Sequence, residues 1–420
     1  MEPMNATNPL KQPIGIIISM FPELHETFIV RELDALDRRG VDFRIFSLQY
    51  PADPVTIPSA VRLMNERTTY ARLFGARALA AFARQSLRHP LRTLRAMWDM
   101  VWIGRDRPRE ALKNLAIMPI TFHFGELMRR DGINHVHGHW ANVPTTACWL
   151  LGRVMGFTWS AAIHGENIFT KNRFLEQKMN EAKFTVVCTG HFCNHLKHHM
   201  HNCHAEDTYT NYHGLDPLIM ENMEGLRDAD ERMRPPVKLL AIGRLVITKG
   251  HDVLIRAVRQ LREQGRDVEL DIVAGGPLEG ELRELARTEG VADHVHFRGQ
   301  LSFAETIAAF KSASIFCLAS RLVDGHPPDG IPNVIAEAMA IGLPVVSTRV
   351  SAIPELVHHE ETGLLCAQDS VDDFVTSIGR LIDDPRLACR YAAAARDNVL
   401  KMFDQDANIQ DLIDIFNRYL

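Results

Sequence analysis

The chain has 420 residues, of which 46% are hydrophobic and 24% charged, and a formal net charge of −5. This composition excludes a disordered or fibrous chain, and the length is sufficient for two ordinary hydrophobic cores. A slightly negative chain has no general attraction for nucleic acid, so no nucleic-acid partner is expected.

The N-terminal stretch lacks the pattern of a secretory signal. No charged region precedes a long apolar run in residues 1–18, and nowhere do eighteen apolar residues follow one another. The seven cysteines are an odd number, and Cys148, Cys188, Cys317 and Cys366 have apolar neighbours, as is typical of reduced, buried thiols. We therefore expect a cytoplasmic protein.

Short apolar runs alternate with helical patterns along the whole chain. In the first half these runs are 14–18, 43–48, 133–138, 159–165 and 184–189. In the second half they are 237–243, 269–276, 294–299, 314–320 and 344–348. Continuous apolar runs separated by helices predict strands buried on both faces, and hence parallel sheets wound by right-handed crossovers.

A charged segment that contains Pro235-Pro236 divides the two series of runs, as a linker does. The prediction is an α/β protein with two doubly wound domains. Its parts are an N-terminal domain over 1–220, a linker over 221–237, a C-terminal domain over 238–398 and a final helix over 399–420, free to pack back on the N-terminal domain.

Within the N-terminal half, residues of about 60–115 form a basic insertion. Between Ala60 and Lys113 there are twelve Arg or Lys and four acidic residues, a local charge of about +8. Arginines alternate with Leu, Phe, Trp98 and Trp102 at helical spacing, and Pro90 divides the segment into a helix pair. Such a surface suits anionic lipid headgroups. The alternative is an insertion that packs its apolar face on its own domain and leaves the arginines in solvent.

Ligands of open α/β sheets bind at the carboxyl ends of the strands. The stretch GRLVITKG, 243–250, places Arg244 and Lys249 in one loop between a predicted strand and a helix that begins near His251. Two cations, free backbone N–H groups and the positive end of a helix dipole indicate a phosphate or pyrophosphate ligand. The alternative is a pair of solvated cations on a surface loop.

A second polar constellation lies in DGIPNVIAEAM, 329–339. Pro332 fits the first turn of a helix and Gly342 ends it. Asn333 and Glu337 then share one face of the helix, and Asp329 lies on the loop before it. Carboxylates in this position can accept hydrogen bonds from sugar or ribose hydroxyls.

Together these motifs carry a resemblance. The second half of the chain resembles the C-terminal domain of retaining glycosyltransferases of family 4. The stretches that carry this resemblance are GRLVITKGHDVL, LDIVAGGP, VHFRGQLS, DGIPNVIAEAMAIGLPVV and ETGLL. The stretch SMFPELHETFIVRELDALDRRG, with IHGEN and YHGLDP, is similar to the members that build bacterial exopolysaccharides such as colanic acid.

This resemblance implies the GT-B fold, in which two Rossmann-like domains face a central cleft. It implies a retaining, metal-independent hexosyltransferase that moves a sugar from a UDP- or GDP-linked donor to a glycan or lipid-linked acceptor. The nucleotide sugar is a co-substrate, and no cofactor is expected. The location implied is cytoplasmic, with an anionic membrane surface on the inner face of the plasma membrane as a further partner.

The family's site residues map onto matching positions of this chain. Arg244 and Lys249 would bind the donor pyrophosphate, and Glu337 would take the ribose hydroxyls, with Asn333 on the same helix face. Asp329 would contact the transferred sugar. His164, in IHGEN, would lie near the anomeric centre, and its alternative is a core histidine at a strand end.

Three positions depart from the family pattern. Asp329 is one methylene shorter than the usual glutamate, and the neighbouring Asp324 competes for the sugar contact. Ser351-Ala352 replaces a Gly-Gly turn, so the backbone there is expected to approach the phosphates less closely. His213 stands where relatives usually carry Asn.

No metal site is predicted. Two Asp-x-Asp matches, at Asp228 and Asp404, lie in the linker and near the C-terminal tail rather than at strand ends. The His- and Cys-rich segment 191–204 has no Cys-x-x-Cys pair. The mechanism implied by the resemblance is a front-face attack by the acceptor hydroxyl, with Arg244 and Lys249 stabilising charge on the leaving diphosphate.

Two other enzyme classes are alternatives to a transferase. A nucleotide-sugar epimerase has a similar two-domain architecture and would use the same pyrophosphate loop without an acceptor. A dinucleotide-dependent oxidoreductase requires G-x-G-x-x-G after its first strand. The residues after 14–18 read SMFPEL, which lacks this motif.

Overall fold

Two compact α/β units make up the chain in the computed structural model, which describes residues 9–23, 26–51, 57–165, 173–199, 205–223, 228–326 and 329–420. Unit 1 comprises Met1–Gly214 together with Gln405–Leu420, and unit 2 comprises Leu215–Asp404.

Unit 1 is built on a seven-stranded parallel sheet with the order β3-β2-β1-β4-β5-β6-β7. The strands are β1 Ile14–Met20, β2 Phe43–Gln49, β3 Thr68–Tyr70, β4 His135–His139, β5 Thr158–Ile163, β6 Thr185–Val187 and β7 Thr208–Thr210. All five predicted runs of the first half form strands. Strands β3 and β7 were not predicted, because three residues at a sheet edge carry too little pattern.

Helices cover both faces of this sheet. They are α1 Thr27–Arg38, α2 Pro58–Arg67, α3 Ala76–Arg88, α4 Pro90–Ile103, α5 Pro108–Ala116, α6 Met118–Arg130, α7 Val143–Leu150, α8 Arg173–Glu181 and α9 Gly190–His199. Successive β1 side chains enter different cores, since Ile17 packs in a cluster with Phe122 and Ile16 in a cluster with Phe184. The C-terminal helix Gln405–Tyr419 closes the second core, where the Phe416 ring lies 5.2 Å from that of Phe184.

Unit 2 is built on a six-stranded parallel sheet with the order β10-β9-β8-β11-β12-β13. The strands are β8 Val237–Ile242, β9 Val268–Val273, β10 Val295–Gly299, β11 Ile315–Leu318, β12 Val345–Thr348 and β13 Leu364–Cys366. The five predicted runs are again strands, and the short edge strand β13 was not predicted. Strand order reverses between β8 and β11. A ligand is therefore expected at the carboxyl ends of these two strands.

The helices of unit 2 pack on both faces of its sheet. They are α10 Pro217–Glu221, α11 Ala229–Arg232, α12 His251–Glu263, α13 Glu279–Thr288, α14 Phe303–Ser312, α15 Asn333–Ile341, α16 Ile353–Leu356, α17 Val371–Asp383 and α18 Pro385–Met402. One core contains Leu254 and Phe374, and the other contains Phe310, Phe316 and Met339. The two doubly wound α/β domains predicted from the sequence are therefore confirmed.

The boundary between the units falls after Gly214, whereas the sequence placed a linker over 221–237. All of that segment belongs to unit 2. Met233 is buried in its core, and Ser314 donates a hydrogen bond of 2.6 Å to the Arg232 carbonyl oxygen. Charge and two prolines indicated a linker, but the buried Met233 side chain and the hydrogen bond from the Ser314 hydroxyl to the Arg232 carbonyl attach the segment to a domain.

Among the helices described, none combines the length and the apolar character needed to cross a lipid bilayer.

Candidate functional site

The loop between β8 and α12 holds Arg244 and Lys249 at the carboxyl edge of the unit 2 sheet. Backbone hydrogen bonds fix it to the loop after β9, since Leu245 N donates to Gly275 O over 3.1 Å and Leu278 N donates to Leu245 O over 3.1 Å. The Arg244 side chain is exposed and makes no ion pair among the described residues. The loop is therefore held by its backbone and leaves this guanidinium available.

Two glycines allow the close packing of these loops. Gly250 has a φ of +63°, and a Cβ there would lie 1.9 Å from the carbonyl oxygen of Ala319. A Cβ at Gly276 would lie 2.6 Å from the backbone of Leu245. Neighbouring Ala274 has a φ of +131°, which is strained for a residue with a side chain. Both glycines thus permit a close approach of backbone segments.

Lys249 and Asp329, eighty positions apart in sequence, form a direct ion pair. Lys249 donates from Nζ to Asp329 Oδ2 over 2.8 Å, and the two side chains are 15% and 38% exposed. Asp324 is exposed, and its carboxylate makes no hydrogen bond or ion pair in the described part of the chain. Of the two candidate aspartates, Asp329 is therefore the one that contacts the loop between β8 and α12.

The Ser351-Ala352 turn contacts the segment that carries Asp329. Ser351 has a φ of +51°, the left-handed region in which glycine is favoured. Its hydroxyl donates a hydrogen bond of 2.5 Å to the Asp329 carbonyl oxygen. The side chain that replaces glycine therefore anchors the segment that carries Asp329.

Helix α15 carries the remaining donor-site candidates. It begins at Asn333, after Pro332 in an extended conformation, and ends at Gly342 with a φ of +92°. Asn333 and Glu337 are one helical turn apart and both are half-buried, whereas Ala336 and Ala338 on either side of Glu337 are buried. A carboxylate in this setting faces limited solvent and is suited to receive hydroxyl donors.

In unit 1, His164 follows β5 and lies in a cluster of aromatic and imidazole rings. Its Nε2 hydrogen-bonds to His139 Nδ1 over 3.1 Å, and its ring centroid lies 4.9 Å from Phe28 and 5.1 Å from His213. Burial lowers the pKa of His164 well below its usual value, and burial lowers the pKa of His139 to about 3. The imidazoles are therefore neutral at physiological pH.

Two neighbours of this cluster were not singled out from the sequence. Burial raises the pKa of Glu32 to about 7, and its Oε1 lies 3.6 Å from His139 Nε2. Trp140, directly after β4, has a φ of +76° and its ring centroid lies 5.2 Å from that of His164. A bulky residue in the left-handed region at a strand end is typical of a functional site.

Parts of three motifs fall outside the described residues. These are Leu24 and His25 of SMFPELHETF, Glu166 and Asn167 of IHGEN, and residues 200–204 of the His- and Cys-rich segment. Within the described part of that segment, Cys193 is buried and its Sγ lies 3.6 Å from the Thr208 carbonyl oxygen. This cysteine therefore packs against β7.

The basic insertion buries one face on its own domain and leaves a row of large apolar side chains exposed. Ala81 of α3 and Ala96 of α4 are buried, whereas Leu91 is 80% exposed and Trp98 is 61% exposed. The ring of Trp98 stacks on that of Trp102 at 5.5 Å. We call the outward row the exposed stripe, and it consists of Leu87, Leu91, Leu94, Trp98 and Trp102.

Arginines flank the exposed stripe. Arg88, Arg92 and Arg95 are exposed and form no ion pair among the described residues. Arg84 differs, because it is bound to Glu126 on α6, with an Nη2 to Oε2 distance of 2.5 Å. The insertion thus packs one apolar face, which includes Phe82, Met97 and Met100, on its own domain, as the alternative predicted, and it also leaves the exposed stripe in solvent.

The comparisons with known proteins match this architecture. Residues 236–384 match the family model described as "Glycosyl transferases group 1". A GDP-mannose-dependent alpha-(1-6)-phosphatidylinositol monomannoside mannosyltransferase of Mycolicibacterium smegmatis is 37% identical over 40% of this chain and 46% of its own length. The amylovoran biosynthesis glycosyltransferase AmsK of Erwinia amylovora is 32% identical over 51% of this chain and 52% of its own length. The chain thus spans about half the length of the curated relatives it matches.

At the level of structure, Anabaena Alr3699/HepE in complex with UDP aligns with a TM-score of 0.72 at 15% identity, covering 97% of this chain and 100% of that chain. The fold is therefore GT-B, as predicted. The residues 236–384 that match this family model lie in unit 2 and include Arg244, Lys249, Asp329, Asn333 and Glu337. The predicted resemblance to glycosyltransferases is confirmed there, and both named relatives are transferases rather than epimerases.

Proposed function

We propose that the protein is a retaining, metal-independent glycosyltransferase that moves a sugar from a UDP- or GDP-linked donor to a glycan or lipid-linked acceptor in bacterial surface polysaccharide synthesis. The observation that carries this proposal is the Lys249–Asp329 ion pair at the carboxyl edge of a group 1 domain. It brings the Lys249 ammonium group, which can bind phosphate, next to the Asp329 carboxylate, which can accept hydrogen bonds from sugar hydroxyls.

The donor would be held by residues of unit 2. Arg244 and Lys249 would bind the diphosphate, where the N-terminus of the 13-residue helix α12 adds its own positive potential. Glu337 would accept the ribose hydroxyls, and Asn333 lies on the same helix face. Asp329 would turn from Lys249 towards the transferred sugar when the diphosphate takes over the ammonium group.

Transfer would proceed by attack of the acceptor hydroxyl on the face from which the diphosphate leaves. The bond from the anomeric carbon to the diphosphate oxygen breaks, the bond to the acceptor oxygen forms, and the acceptor proton passes to the leaving diphosphate. Arg244 and Lys249 would stabilise the charge that grows on this group, which is electrostatic catalysis. His164 is proposed as the acceptor-side residue of unit 1.

The test of this reaction is product analysis with the purified full chain. UDP- and GDP-sugars are incubated with and without lipid-linked acceptor in the presence of a chelator. A transferase releases nucleoside diphosphate in proportion to acceptor, and a retaining transferase gives a product with the anomeric configuration of the donor, whereas the opposite anomer would contradict retention. Return of an altered but intact nucleotide sugar would instead identify an epimerase, and loss of activity on chelation would contradict metal independence.

An anionic membrane surface is the proposed location of the acceptor. Large apolar side chains lose favourable burial when they face water, and insertion among lipid headgroups removes this cost. Unpaired arginines beside them add about 1 kcal/mol each near an anionic surface. The exposed stripe and its flanking Arg88, Arg92 and Arg95 combine both contributions, which supports a peripheral position on the inner face of the plasma membrane.

Vesicle co-sedimentation tests this location. The charge reversal Arg88→Glu, Arg92→Glu and Arg95→Glu should release the protein from anionic vesicles, and Trp98→Ser with Trp102→Ser should release it at both low and high salt. Arg84 is left in place because its reversal would break the ion pair with Glu126.

A matched control carries the same charge change on unit 2. Arg386→Glu, Arg390→Glu and Lys401→Glu alter exposed residues of α18 and should leave vesicle binding intact. Equal loss in both triple variants would show a general effect of net charge, and failure of the native protein to bind anionic vesicles at low salt would contradict the proposal.

A further inference from the structure

Three side chains with metal-binding atoms meet at the carboxyl edge of the unit 1 sheet. His164 follows β5, Cys188 follows β6, and His213 follows β7, and these three strands are neighbours in the sheet. One ligand atom from each residue lies within 4.8 Å of the other two. Adjacent parallel strands thus place an imidazole, a thiol and a second imidazole around one point.

One ring nitrogen of His164 has no hydrogen-bond partner among the described residues. Its Nε2 hydrogen-bonds to His139 Nδ1 at 3.1 Å, whereas its Nδ1 is buried and has no hydrogen-bond partner in the described part of the chain. A buried nitrogen without a partner destabilises the folded state. A cation bound at Nδ1 would remove this cost.

One tautomer of His164 is compatible with a metal ligand. With its lone pair on Nδ1, His164 carries a proton on Nε2 and donates to His139 Nδ1. His139 then carries its own proton on Nε2, which lies 3.6 Å from Glu32 Oε1, beyond hydrogen-bond distance.

We propose that unit 1 binds a late first-row divalent cation, Zn²⁺ above all, through His164 Nδ1, Cys188 Sγ and one ring nitrogen of His213. One thiolate and two imidazoles are ligands for zinc rather than for magnesium or calcium, which take oxygen. Binding releases the Cys188 thiol proton and leaves a fourth position for water. This site is distinct from the His-rich helix α9.

Binding would have a consequence for activity. The cation occupies the free nitrogen of His164, which the proposed function assigns to the acceptor side. Zinc should therefore inhibit transfer reversibly, and a chelator should restore it. This consequence rests on the proposed function, whereas the binding itself does not.

Co²⁺ is the probe for the site, because a cobalt–thiolate bond gives a near-ultraviolet charge-transfer band. Tag-free, chelator-treated full chain should show this band on addition of one equivalent of Co²⁺, and Zn²⁺ should abolish it. Cys188→Ser should lose the band, and His213→Asn should weaken Co²⁺ binding about tenfold or more. Tryptophan fluorescence checks that each variant is folded.

Two control variants isolate the site from other ligands. Cys389→Ser alters a half-buried thiol of unit 2, and His198→Asn alters an exposed histidine of α9, so both should keep the band. A band that persists in Cys188→Ser, or that is absent from the native protein, would overturn the site. A band without zinc inhibition would keep the metal site and contradict the role of His164 in transfer.

Discussion

The substitution Asp329→Asn separates the binding of the nucleotide from the transfer of the sugar. In the structure Lys249 is engaged by Asp329 at 2.8 Å, so a diphosphate must compete with this carboxylate for the ammonium group. Ion pairs with this degree of exposure are worth about 0.2 to 1 kcal/mol. Removing the carboxylate charge should therefore raise the affinity for bare nucleoside diphosphate by up to about fivefold.

The same substitution should lower transfer, because the amide is a poorer acceptor for the sugar hydroxyls than the carboxylate. Isothermal titration with UDP and GDP at low and high salt measures the first effect, which should shrink as salt screens the pair. Asp324→Asn is the control and should change neither quantity, because Asp324 is exposed. Weaker nucleotide binding in Asp329→Asn, or an effect confined to Asp324→Asn, would refute the reasoning.

Three further changes test the remaining parts of the account. Glu337→Gln should weaken bare nucleotide by about 1 to 2 kcal/mol, because charged acceptors make the stronger hydrogen bonds, and unchanged affinity in calorimetry would exclude the ribose role. Glu32→Gln should stabilise unit 1 in a pH-dependent manner, since a carboxyl whose pKa rises from 4.5 to about 7 on folding loses its favourable contribution as pH increases through that window. The gain in urea unfolding should be small at pH 4.5 and about 3 kcal/mol at pH 8, and a constant gain would contradict the burial of this acid. Gly250→Ala should destabilise unit 2 by about 2 kcal/mol or more, because its Cβ meets the Ala319 carbonyl, whereas Gly290→Ala, at a φ of +71° with open space around it, should cost only about 1 kcal/mol in a thermal scan.

Tryptophan fluorescence is a selective probe for the Glu32 experiment. All five tryptophans lie in unit 1, at positions 98, 102, 140, 149 and 159. The signal therefore follows the unfolding of that unit alone, which matters because a chain of two units need not unfold in one step.

The sequence predicted the frame of the protein because buried parallel strands leave a strong signal. Ten apolar runs became ten strands, and the loop after β8 could be identified because ligands bind at the carboxyl ends of such strands. The choice between Asp324 and Asp329 could not be made in this way. It depends on the path of a loop that brings one carboxylate to Lys249, and no local pattern specifies that path.

The unit 1 cluster lay further beyond sequence reasoning. Glu32 lies within a helix, and His139, His164 and His213 belong to different strands or the loops after them, so only the order of those strands makes them neighbours. The exposed stripe was ambiguous for a different reason. An amphipathic pattern fixes which residues share a face of a helix, but the neighbouring elements decide whether that face is covered.

Titration of nucleoside diphosphates into the native protein and into the double variant Arg244→Ala, Lys249→Ala tests the central claim most directly. UDP or GDP should bind the native chain and raise its melting temperature, since a ligand of the folded state stabilises it by mass action. The double variant should bind at least about a hundredfold more weakly, because two cations that face the diphosphate anion are lost. Affinity within a factor of about two of the native value, or no binding of either nucleotide to the native protein, would contradict it.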